Sequence, residues 1–186
     1  SGYGLRLAAG TELLFGPGHF LMATGALEFA GEEDAPVVLR PHSHRWQGIV
    51  VLDAASDSHW RHTTVADTTG LAQGRWRLTG GITFYRSPIY LDHCRIVGTL
   101  AEDGLNVIET SFGFEATEFA DTISDAFDAD FGRGTIRRCA FQDIGADGID
   151  VSGSDVLVSG TILDTLGDKA LSVGAVTRQE TMDLTI

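Results

Sequence analysis

The chain has 186 residues, 13 basic against 26 acidic, with a formal net charge of −13. That balance excludes nucleic acid and anionic membranes as partners, because both require clustered Lys and Arg. No apolar run approaches the roughly 18 residues of a membrane span, so no membrane insertion is expected, and the length suits one domain over 1–186 with one continuous core.

In chain order, the first predicted elements are short apolar runs bounded by glycine or proline: Leu7–Gly16, Gly25-Ala26-Leu27 and Pro36-Val37-Val38-Leu39. His42 and His44, between Arg40 and Arg45, lack a third ligand at metal spacing and suit a solvated, partly basic edge, as do His59 and His62. Trp46-Gln47-Gly48-Ile49-Val50-Val51 and Gly81-Ile82-Thr83-Phe84 share a Gly-Ile strand entry. Their separation, 33 residues, is one repeat plus about eleven, which predicts an insertion loop within 54–80 carrying Arg75-Trp76-Arg77. Insertions of this kind lie on the outside of solenoids and often line the binding face. An exposed tryptophan beside two guanidinium groups suits stacking on a sugar ring, so Arg75, Trp76 and Arg77 are candidate substrate-binding residues.

The second half repeats every 22 residues. Asp103-Gly104-Leu105-Asn106-Val107, Asp125-Ala126-Phe127-Asp128-Ala129, Asp147-Gly148-Ile149-Asp150-Val151 and Lys169-Ala170-Leu171-Ser172-Val173 occupy equivalent positions. Two apolar residues flank one polar residue in each, the alternation of a strand with one buried face. Phe119, Phe141 and Leu163 form a second register, and Leu100, Thr122, Ile144 and Leu166 a third. A unit this short cannot bury its apolar face alone and must stack on copies of itself, with strands about 4.8 Å apart. Leucine-rich repeats need a leucine ladder that is absent. The expected fold is all-β: a single-stranded parallel β-helix of about eight coils, right-handed by the crossover rule. The chain opens at once in coil-forming sequence and stops at Leu184-Thr185-Ile186. The open coil ends are therefore expected to meet the remainder of a longer chain or a self-association partner.

Cys94 and Cys139 fall at one strand position two coils apart, with Thr117 between them. Two coils span roughly 9.6 Å, too far for a disulfide, so two free buried thiols are expected.

Stacking also builds acidic columns. Asp103, Asp125 and Asp147 form one, ended by Lys169; Asn106, Asp128 and Asp150 form another, with Asp130 just beyond. Like charges about 5 Å apart raise one another's pKa, so such columns need a counter-ion or a purpose. Three readings stand. Asp128 and Asp150, turned outward, are the candidate catalytic pair for a glycosidic bond, with Asn106 and Asp130 beside them as substrate-binding residues. Asp125 and Asp147 are candidate Ca²⁺ ligands. Alternatively, the aspartates bond backbone amides at coil corners and are structural.

The runs from Leu7 to Gly16, Gly25 to Leu27, Pro36 to Leu39 and Trp46 to Ile49 resemble the opening coils of bacterial right-handed parallel β-helix proteins of the pectate-lyase-like superfamily. Ser124–Phe131 and Gly167–Gly174 are similar to repeats of secreted members whose activity is often unassigned. Tyr90-Leu91-Asp92-His93-Cys94 is similar to the Trp-Ile-Asp-His strand motif of pectate lyases. The chain lacks the Arg-x-x-Pro-x-x-Arg segment of those lyases, and the Gly-His-Gly and Arg-x-Lys segments of polygalacturonases. The resemblance implies a secreted or cell-surface location and a polysaccharide partner. Two functions follow as expectations: a carbohydrate-related module, hydrolase or lyase, using the acidic strand face; or a non-catalytic module of a larger surface protein, binding glycan, Ca²⁺ or a protein.

Overall fold

Short strands whose apolar residues alternate with polar ones bury a face only when further strands stack on them. The computed structural model, which describes residues 4–175 and 177–186, meets that requirement by winding the chain into a parallel β-solenoid of about eight turns, roughly 23 residues per coil. Each coil contributes one strand to each of three parallel sheets. Sheet A has eight strands, from Leu5–Ala8 through Ile89–Asp92, Ser111–Glu115 and Arg133–Arg137 to Arg178–Met182. Sheet B has seven, from Glu12–Phe15 to Ile162–Leu166. Sheet C has seven: Phe20–Ala23, Gly48–Leu52, Gly80–Tyr85, Asp103–Ile108, Asp125–Asp130, Ile149–Ser152 and Leu171–Val173. A small antiparallel hairpin, Ala72–Gln73 with Trp76–Arg77, stands outside the three sheets.

The corners explain how so tight a coil closes. After sheet A the chain turns through residues at positive φ, His62, His93, Ala116, Arg138 and Gly160, stacked one above another. After sheet C, Asp53, Arg86, Glu109, Phe131 and Gly153 do the same, and in sheet B Asp67, Gly98, Asp121, Asp143 and Thr165. Left-handed backbone costs a non-glycine residue roughly 1 kcal/mol, and Asp and His tolerate it better than most. Just inside the first corner runs a ladder of short side chains. Thr63, Thr117 and Thr161 donate their hydroxyls to the carbonyl two residues back, each at 3.1 Å. Cys94 and Cys139 occupy the same rungs and donate their thiols in the same way, at 3.5 and 3.3 Å. Both cysteines are free and buried.

The core runs along the axis. Phe119 and Phe141 stack with centroids 4.8 Å apart, and Phe127 meets Phe114 and Phe112 edge-on at 4.9 and 5.0 Å. Trp46 and Trp60 fill the irregular early coils, stacked on Phe15 and Phe29. The 22-residue step is not kept throughout: Asp155 pairs with Arg178 at a step of 23, and the early coils run longer, Glu12 pairing with Val38. Arg95 pairs with Glu118, a step of 23, so Thr99 takes the interior position expected of Leu100, which is 47% exposed.

Phe127→Ala, at a position with 0% exposure, is expected to destabilise the fold by about 3–5 kcal/mol in urea unfolding. Phe131→Ala, at a residue 69% exposed on an outer corner, should shift stability by no more than about 0.5 kcal/mol.

Candidate functional site

Sheet C carries the acidic residues because its later strands stack in register: Asn106 pairs with Asp128, and Asp128 with Asp150. Leu105 and Val107, Phe127 and Ala129, and Ile149 and Val151 are buried in the core on either side of them. Strand alternation therefore turns each intervening polar residue to the outer face. Asp130 follows two residues after Asp128 on that face, in register with Ile108.

This face is not fully open to water. Asp103 and Asn106 are each only 3% exposed. Asn106 Nδ2 donates to Asp128 Oδ2 at 2.8 Å and to Asp103 Oδ2 at 3.1 Å, and lies 3.3 Å from the Thr79 hydroxyl on the chain returning from the hairpin. Burial, followed by the charges of Asp103, Asp130, Asp150 and Asp125, pushes the Asp128 carboxyl up to about 8. Asp103, Asp125 and Asp130 are also pushed up, each chiefly by burial. A carboxylic acid that keeps its proton near neutrality can act as a general acid.

The neighbouring column is used differently. Asp125 Oδ1 accepts the backbone N–H of Asp147 at 2.9 Å, and Asp147 Oδ1 accepts that of Lys169 at 2.9 Å. The Lys169 ammonium also donates to both oxygens of Asp147 at 3.3 Å and to Asp168 at 2.6 Å. Each carboxylate thus ties one coil to the next. Oxygens of Asp125, Asp147 and Asp150 nevertheless lie within 4.8 Å of one another, a hard-oxygen set of the kind Ca²⁺ takes. Lys169 already neutralises part of that charge.

The hairpin brings in the aromatic residue. Trp76, 53% exposed, forms the wall of a recess of about 360 Å³ with Leu78, Leu52, Thr83, Tyr85 and Ile108. Thr83 pairs with Asn106, and Tyr85 with Ile108, which in turn pairs with Asp130. The recess therefore opens onto the same face of sheet C as the acidic columns, one strand away. Arg75 and Arg77 are exposed on the hairpin and do not line it. The platform residues Leu52 and Ile108, on either side of Tyr85, escaped the sequence reading. Their signal was present, because they stand two positions beyond Val50 and Asn106 on the same strands.

No protein-family model matches the chain, and neither does any curated protein or solved structure.

The raised carboxyl has a stability consequence. An unfolded aspartate loses its proton near pH 3.9, whereas folded Asp128 holds it to about 8. Across that window the native state binds more protons than the unfolded state, so stability falls as pH rises. The wild-type urea midpoint should be higher at pH 5 than at pH 8. Asp128→Asn, which cannot titrate, should narrow that gap; an unchanged gap would contradict the assignment.

Proposed function

We propose that this protein is a carbohydrate-active β-helix of the secreted or cell-surface kind, akin to the pectate-lyase-like superfamily, which binds a polysaccharide across sheet C and hydrolyses it. One observation carries the reading: an Asp128 carboxyl pushed to about 8 stands one strand from Asp150, on the face that the Trp76 recess opens onto. Trp76 supplies an apolar ring for a sugar to stack on. Asn106 holds Asp128 Oδ2 as an acceptor, leaving the other oxygen to carry the proton toward substrate.

The chemistry follows from the spacing. Adjacent parallel strands lie about 4.8 Å apart, close to the roughly 5 Å between carboxyl groups of retaining glycosidases. Asp128 protonates the glycosidic oxygen as the bond to the anomeric carbon breaks. The Asp150 carboxylate takes that carbon, forming a glycosyl ester. Water then attacks the ester, giving its proton to Asp128 and releasing Asp150. The substrate class is a neutral glycan, since this face of a chain with net charge −13 repels polyuronates.

A second reading has its own support. Asp125 and Asp147 bond backbone amides of the next coil, the arrangement of a structural column. That favours a non-catalytic module that binds glycan without cleaving it.

Release of reducing ends from a panel of neutral polysaccharides distinguishes the two. For the hydrolase, kcat should fall by about 10²–10⁴-fold in Asp128→Asn, and Trp76→Ala should mainly raise KM. Wild-type kcat/KM should decline above about pH 8, as Asp128 loses its proton. Glycan binding with no product from any polysaccharide supports the binding module, and preference for polygalacturonate overturns the neutral assignment.

A further inference from the structure

Sheet A holds a second groove, of about 540 Å³, on a different face of the solenoid from the acidic columns. Its floor is a column of outward residues in register: Glu28, His59, Tyr90, Gly113 and Thr135. The rings of His59 and Tyr90 are nearly parallel, 15° apart, with centroids at 5.2 Å. They overlap like shingles, and the Tyr90 ring continues over the next coil. A side chain at position 113 would obstruct it, because a β-carbon there would stand 2.8 Å from Tyr90 Cδ1. Glycine at this one rung lets the aromatic platform lie down along the sheet.

The platform is edged by hydrogen-bonding groups from the next outward column, Arg61, Asp92, Glu115 and Arg137. Asp92 is held by His93 at 2.7 Å, and Glu115 by Arg138 at 2.7 Å, so both carboxylates have fixed positions beside the rings. Among the described residues the Arg137 guanidinium has no side-chain partner and is exposed.

We propose that this groove is a second, non-catalytic binding site for a neutral oligosaccharide, with one pyranose ring seated on Tyr90. The apolar face of a sugar ring stacks on an aromatic side chain, while its hydroxyls need acceptors and donors at the ring's rim. Asp92 and Glu115 supply the acceptors, and Arg137 supplies donors. With Glu28 the groove has three carboxylates against two guanidinium groups, so it offers no net positive charge to a polyanion. No residue of the groove belongs to sheet C, and a ligand here would extend the area over which a polysaccharide is held.

Affinity electrophoresis through gels containing xylan, glucomannan or β-1,3-glucan tests the site, with polygalacturonate as the charged control. The Trp76→Ala/Asp128→Asn double variant removes the stacking ring and the acid of sheet C. It should still be retarded by at least one neutral polysaccharide, and adding Tyr90→Ala or Arg137→Ala should weaken that retardation, the former about tenfold. Arg137 lies on the surface, so its variant guards against a folding defect at Tyr90; thermal unfolding checks both. Loss of all retardation in the double variant, retardation indifferent to both substitutions, or retardation by polygalacturonate alone would overturn the proposal. Failure of hydrolysis in the wild type with retention intact bears on sheet C only.

Discussion

Everything in this protein depends on parallel coils stacking in register. No coil encloses a core by itself; each covers the apolar face of the one before. Leu105, Phe127, Ile149 and Leu171 succeed one another at a single lateral position, and the first three have almost no contact with water. The same register that aligns the interior aligns the exterior, so any polar residue retained by the repeat stands beside its copies. Like charges are brought together by a constraint whose purpose is hydrophobic.

The molecule relieves that crowding in several ways. Asn106 heads one carboxylate column with an amide that donates to Asp128 on the next strand and to Asp103 of the other column. Lys169 ends the other with a cation. Asp125 and Asp147 are satisfied by amides of the adjoining coil. Asp128, buried among the charges of Asp103, Asp130, Asp150 and Asp125, responds by retaining its proton.

Much of this was legible in the sequence, and the parts that were not have definite causes. The four echoes from Asp103 to Val173 set the strand pairing of half of sheet C correctly, because a fixed step leaves only one register. Leu100 was misplaced because the coil that holds it is one residue longer than the two that follow, and nothing local marks the change. The position of Trp76 relative to Asp128 could not be read, since an insertion has no counterpart in the repeat and only the folded hairpin shows where it points. The sheet A platform was hidden for a related reason. His59 and Tyr90 belong to coils on opposite sides of that insertion, so their pairing spans 31 residues and falls outside the period. Gly113, which makes the platform possible, resembles any other glycine in a glycine-rich chain until the ring above it is seen.

The ladder inside the sheet A corner has one more implication. Its rungs accept a hydroxyl or a thiol in the same geometry, so sulfur at positions 94 and 139 serves as an oversized oxygen. Burial pushes these thiols up to about 12 and about 11, leaving them protonated and out of reach of oxidants and electrophiles. A protein whose native cysteines are chemically silent is already suited to labelling. A single new cysteine on any outer face would be its one reactive thiol, and probes could be placed coil by coil along the axis at a spacing fixed by the sheet.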